Sequence, residues 1–190
     1  MEIEMLTFVT GGVRSGKSSY AERLACKGDT GINQIHYIAT STPYDDEMKK
    51  RVKAHQHSRE LGHVSWKTWE VPTYIETVFP FIHKDDVVLL DCLTNLISNE
   101  LFIGWEQGEE KWRCNSFRDQ LEQRLSNTFK MLQDKPNQII IVSNELFQDI
   151  PARDKGTYFY LELLGRLHQY IVSIANKAIL IQSGIPMVKK

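Results

Sequence analysis

The sequence predicts an α/β fold, a mostly parallel sheet with helices on both faces, and three observations carry that expectation. Short apolar runs of strand length recur at intervals that leave room for a helix. Apolar residues at helical spacing fill several of those intervals. A glycine-rich octapeptide joins the first apolar run to the first helical stretch.

In chain order, the apolar runs lie at 6–10, 35–39, 87–90, 139–142 and 178–181, each bounded by turn-forming or polar residues. Helical spacing covers 17–27, 45–59, 116–132 and 161–175. This alternation requires crossover connections and therefore parallel strands covered on both sides. Residues 63–71 alternate weakly and predict a further strand or a sheet edge. The stretch 104–113, acidic and carrying Trp105 and Trp112, has no clear period and reads as a surface excursion.

Bulk properties narrow the function classes. At 190 residues and 42% hydrophobic content, residues 1–190 fit a single domain with a sizeable core. The 23 basic and 24 acidic residues nearly cancel, and no Lys/Arg tract supplies the electrostatic footprint of a nucleic-acid binder. Cys26, Cys92 and Cys114 are widely spaced without a CxxC pair, which indicates neither a disulfide framework nor a thiolate metal site. No run approaches the roughly 18 apolar residues of a membrane span, and the N-terminus has no leader pattern, so a cytoplasmic protein without a membrane anchor is expected.

The octapeptide Gly11-Gly12-Val13-Arg14-Ser15-Gly16-Lys17-Ser18 lies between a strand and a helix, the context a phosphate-binding P-loop requires. In such a loop glycines let backbone N–H groups converge on phosphate oxygens, and the helix adds the positive end of its dipole. Lys17 then reaches the β and γ phosphates and Ser18 holds Mg²⁺. A plain strand-to-helix turn is the alternative. The run at 87–90 ends in Asp91, which suits the strand that brings a carboxylate to the Mg²⁺ shell. The fold class is thus that of P-loop nucleoside triphosphate hydrolase-like proteins.

The segment 45–59 opens with acidic residues and closes with cations, as a helix dipole prefers. Arg51, His55 and Arg59 recur at four-residue spacing and share one face, whereas His57 points about 200° from His55 at roughly 100° per residue. Such a stripe can hold a polyphosphate while presenting an imidazole to one phosphorus atom. On chemistry alone a solvated basic face with an incidental histidine is the favoured reading.

These motifs have an order as well as a content. Thr10 to Ser18, Tyr37-Ile38-Ala39-Thr40, the helical segment 45–59, Leu90-Asp91-Cys92-Leu93-Thr94, Val142-Ser143-Asn144-Glu145, Gly165 and Ser183-Gly184-Ile185-Pro186 follow one another along nearly the whole chain. In this the sequence resembles the bifunctional adenosylcobinamide kinase/adenosylcobinamide-phosphate guanylyltransferase family. The resemblance implies phosphorylation of the aminopropanol hydroxyl of adenosylcobinamide with ATP or GTP. Transfer of GMP from GTP onto the resulting adenosylcobinamide phosphate follows, as part of coenzyme B12 assembly. It also implies that His55 becomes guanylylated, that Arg51 and Arg59 hold nucleotide phosphates beside it, and that the protein is a homotrimer or other homo-oligomer. Lys17 and His55 are then the candidate catalytic residues. The chain departs from the family pattern at Leu146-Phe147-Gln148-Asp149, where a Gly-x-Gly is usual, and at Tyr158 and His168, where an Arg and an Asn are usual. Glu162, Gly165 and Gln169 keep to it. A kinase that has lost guanylyl transfer, and a nucleotide-dependent switch or partner-binding protein, are the competing readings.

Overall fold

The computed structural model describes residues 6–27, 34–41, 65–134, 138–147 and 154–190. The expected helix 45–59, with Arg51, His55 and Arg59, lies outside the described residues. Every apolar run is a strand. The strands are β1 (Leu6–Gly11), β2 (Ile35–Ala39), β3 (Trp66–Glu70), β4 (Val87–Asp91), β5 (Gln138–Asn144), β6 (Lys177–Gln182) and β7 (Ile185–Val188). The helices are α1 (Lys17–Lys27), α2 (Leu93–Leu101), α3 (Asn115–Gln133) and α4 (Lys155–Ile174), with short 3-10 turns at Ile75–Phe81, Trp105–Gln107 and Lys111–Arg113.

The strands form one sheet in the order β3-β2-β4-β5-β1-β6-β7. Each neighbouring pair is parallel except β6–β7. The weakly alternating run is indeed an edge. β3 pairs only with β2, and a buried network fastens it. Trp69 Nε1 donates to His36 Nδ1 at 3.0 Å, so the imidazole proton sits on Nε2, which faces Asp86 Oδ2 at 3.1 Å. Burial pushes the His36 pKa below the ordinary histidine value, and Asp86 opposes that shift.

The two faces of the sheet pack differently. Leu6, Phe8, Val88, Leu90 and Ile139 meet the apolar faces of α2, α3 and α4. On the opposite face Val9, Leu89, Ile140 and Val142 pack against Ala21 and Ala25 of α1. Side chains this small let α1 lie close to the sheet, so its N-terminus opens immediately beside the strand ends. Among the described residues no helix is long and apolar enough to cross a membrane.

The structure adds to the expected elements. α2 is set by Leu93, Leu96, Ile97 and Leu101, a buried helical stripe that follows β4 after one residue. β7 returns antiparallel through Ser183 and Gly184, whose φ values of 50° and 80° make the two-residue hairpin turn favoured by strand twist. α4 starts at Lys155 because the Asp154 carboxylate accepts the Thr157 N–H at 2.8 Å and caps the helix. The stretch 104–113 is only half a surface excursion. Trp105 is exposed, but Trp112 is buried in the core between Phe102 and Phe159.

One buried charge holds the turn at Ile75–Phe81 to the helical layer. Glu100 is 3% exposed and accepts the Tyr74 N–H at 2.8 Å while pairing with the Arg124 guanidinium. Arg124 also bonds Glu76 at 2.9 Å. Glu100→Ala removes two interactions at once and strands a partly buried cation, a change that ordinarily costs about 3–5 kcal/mol. Arg124 keeps Glu76 and retains 32% exposure, so the expected loss is at the lower end, about 3 kcal/mol, read by urea unfolding.

Candidate functional site

Strand register brings the motifs together. Gly11 of β1 lies level with Asn144 of β5, and Asp91 of β4 lies level with Val142 of β5 and Ala39 of β2. The chain leaves β1 through α1 on one face and leaves β5 through α4 on the other. The carboxyl ends of these adjacent strands therefore border the crevice where parallel α/β sheets bind ligands.

The loop after β1 has the backbone of a phosphate cradle. Ser15 N–H closes a turn on the Gly12 carbonyl at 3.2 Å, and Arg14 and Gly16 adopt positive φ values of 61° and 89°. Alternating handedness of this kind points successive N–H groups into one concavity. Gly11 admits no side chain, because a Cβ there would collide with the Ile181 carbonyl oxygen and stand 2.7 Å from Ser15 Oγ. The hairpin turn after β6 braces the loop from outside, with Gly184 N–H donating to the Ser15 carbonyl at 2.9 Å. This gives the terminal Ser183-Gly184 motif a physical role that its sequence does not disclose.

Lys17, Ser18 and Asp91 meet at the mouth of α1. Lys17 is 8% exposed, and its Nζ donates to the Gly12 carbonyl at 3.2 Å. Asp91 accepts hydrogen bonds from the Ser18 hydroxyl and, at 3.0 Å, from Tyr37. Burial pushes the Asp91 carboxyl above the usual carboxylate range, and the Ser18 and Tyr37 bonds and the Lys17 charge pull it back. The donor set fits Mg²⁺: one carboxylate and one hydroxyl oxygen already share a position, and the ion ordinarily takes its remaining ligands from phosphate and water. The buried Ser15 hydroxyl has no hydrogen-bond partner among the described residues, as a donor awaiting an anion would.

A second layer fixes these residues. Thr40 is fully buried; its hydroxyl donates to the Cys92 carbonyl at 2.7 Å and accepts the Cys92 N–H at 2.8 Å. Asn99 of α2 donates to the Thr40 carbonyl at 2.8 Å, and Asn144 donates to Thr94 Oγ1 at 2.9 Å. Glu145 N–H donates to the Gly11 carbonyl at 2.9 Å, tying the end of β5 to the loop. Tyr37, Thr40, Thr94 and Asn144 were legible as motif members. Their bonding pattern depends on which strands are neighbours.

Two of the departures from the family pattern also meet. Phe147 and His168 face each other edge to face at 5.4 Å, and His168 Nε2 lies 2.7 Å from Ser143 Oγ. Tyr158 stands apart, exposed near the start of α4.

These features define the chain as a P-loop nucleotide-binding α/β protein. The family described as cobinamide kinase / cobinamide phosphate guanyltransferase matches residues 7–189, and the chain belongs to it. The two activities in that description are enzymatic steps of coenzyme B12 biosynthesis that use ATP or GTP. The bifunctional adenosylcobalamin biosynthesis protein CobU of Escherichia coli (strain K12) is 32% identical over 183 residues, covering 95% of this chain and 97% of that protein. The bifunctional adenosylcobalamin biosynthesis protein CobP of Pseudomonas aeruginosa is 30% identical over 184 residues, 96% of each chain. Among solved structures, an ATPase domain superposes with a TM-score of 0.55 at 14% identity, over 95% of this chain and 70% of that one. That likeness concerns the fold alone.

Burial pushes the His168 imidazole down to about 4. Its folded value is therefore below the unfolded value of about 6.5, and the folded state resists a proton that the unfolded chain takes up. The His168 contribution is fully present above pH 6.5 and is lost as pH falls toward about 4, by roughly 3 kcal/mol at the end of that window. Urea unfolding at pH 7 and pH 4 should show the wild type losing about that much more stability than His168→Asn, which cannot titrate.

Proposed function

We propose that this chain phosphorylates adenosylcobinamide with ATP or GTP and then transfers GMP from GTP onto the phosphate through a guanylyl-histidine at His55. One observation carries the reading: Lys17, Ser18 and Asp91, drawn from two separate sequence motifs, meet at the opening of α1 beneath a loop whose amides converge. Gly11, Gly12, Val13, Arg14, Ser15 and Gly16 present their backbone to the triphosphate, and Lys17 balances charge building on the β and γ phosphates. Ser18 and Asp91 hold Mg²⁺, which when bound neutralises phosphate charge. In the kinase step the acceptor hydroxyl oxygen bonds to the γ phosphorus and the bridging bond to the β phosphate breaks.

In the guanylyl step a neutral His55 nitrogen attacks the α phosphorus of GTP and pyrophosphate leaves. The corrinoid phosphate oxygen then displaces the imidazole. Arg51 and Arg59, four residues away on either side in sequence, steady the phosphates. One domain spanning the chain carries both steps, as a homotrimer or other homo-oligomer in the cytoplasm; the family resemblance supports the assembly, and widely spaced cysteines without a CxxC pair support the locale.

Lys17→Ala should lower cobinamide phosphate formation by about 10²-fold or more while circular dichroism stays unchanged. A folded variant with near wild-type turnover removes the loop from the chemistry. GTP labelled at the α phosphate should leave acid-labile, alkali-stable label on the protein. His55→Ala should abolish that label, and His57→Ala should keep it. Label mapping to another residue overturns the His55 assignment, and its absence from an active wild-type kinase favours the kinase-only reading.

A further inference from the structure

A cavity of about 430 Å³ lies on the face of β1 opposite α1, between the strand and α4, and is lined by Phe8, Thr10, Glu145, Phe147, Gly165, His168, Gln169 and Val172. Its walls are largely apolar and its polar groups are few, the composition of a small-molecule site. Among the described residues, three of those groups keep unused hydrogen-bonding capacity. The Thr10 hydroxyl is buried with no hydrogen-bond partner. His168 commits only Nε2, to Ser143, which leaves Nδ1 of an imidazole that burial keeps neutral. Glu145 gives one carboxylate oxygen to the Phe147 N–H at 3.2 Å and has the other free.

The cavity borders the phosphate loop. Thr10 immediately precedes Gly11, and Glu145 N–H is bonded to the Gly11 carbonyl. Lys17, Ser18 and Asp91 lie toward α1, so the cavity adjoins the same loop from the opposite face of the sheet. We propose that this cavity seats the hydroxyl-bearing arm of the phosphoryl acceptor and that Glu145 is the catalytic base of the kinase step. The acceptor oxygen forms its bond to the γ phosphorus, its proton passes to the Glu145 carboxylate, and the pair of the broken bridging bond stays on the nucleoside diphosphate. Thr10 and Gln169 hydrogen-bond the polar atoms of the arm, and Phe147 packs on its aliphatic part. The proposal rests on the kinase reading above and assigns its acceptor side.

Gly165 offers a test that does not depend on weakening the fold. It lies within α4 and has helical backbone, and a Cβ there would make only ordinary contact with Phe147, at 3.6 Å. Gly165→Leu therefore favours the helix while projecting into the cavity. With purified full-length protein, ATP, Mg²⁺ and adenosylcobinamide, this variant should raise the corrinoid KM by about tenfold or more, with the ATP KM and the thermal midpoint kept. Glu145→Gln should lower kcat by about 10²-fold or more with ATP binding unchanged, and Glu145→Asp should restore part of it. Wild-type turnover with both variants undiminished, or a rise in the ATP KM in place of the corrinoid KM, overturns the acceptor cavity and leaves the kinase reading standing. A wild-type protein that binds ATP yet forms no corrinoid phosphate overturns the kinase reading, and the assignment of its acceptor with it.

Discussion

Register in the parallel ladder β4–β5–β1 is the constraint on which the site depends. With Gly11 level with Asn144, and Asp91 level with Val142, the phosphate loop and the metal-side carboxylate end within reach of one another on the same face. A slip by one residue in β4 would turn Asp91 to the opposite face and put Leu90 in its place. The continuous burial of Val87 to Leu90 and Ile139 to Val142 on both sides of the sheet leaves neither strand free to slip.

Desolvation is the second common thread. Lys17 and Asp91 are ionisable groups at a crowded strand end, and each is held by neighbours that favour its charged form. The Asp91 carboxylate is already oriented by Tyr37 and Ser18 before a triphosphate arrives. The Thr40 hydroxyl serves that orientation at one remove. It clamps Cys92 by both donating and accepting, which fixes the backbone on which Asp91 stands.

Two of the chain's departures from its family pattern, Phe147 and His168, meet in space. Phe147 fills space beside His168, and the two rings close one wall of the cavity that Gly165 and Gln169 also line. The pair lies on the α4 side of the sheet, whereas Lys17 and Ser18 belong to α1.

Taken alone, the sequence determined most of the strands, most of the helices and the family. Apolar runs, helical spacing and a glycine-rich loop are local signals, and local signals survive without knowledge of neighbours. It named Lys17, Ser18 and Asp91 for the same reason. It did not provide α2 or β7, although Leu93, Leu96, Ile97 and Leu101 and the Ser183-Gly184 turn carried the signals. It also read Trp112 as surface, because a side chain in a 3-10 turn has no period to betray its burial. What only the tertiary structure decided is which residues meet: Tyr37 with Asp91, Thr40 with Cys92, Gly184 with Ser15, Phe147 with His168. Those contacts span neighbouring strands or opposite ends of the chain, and strand order and register, which no stretch of sequence encodes by itself, set them.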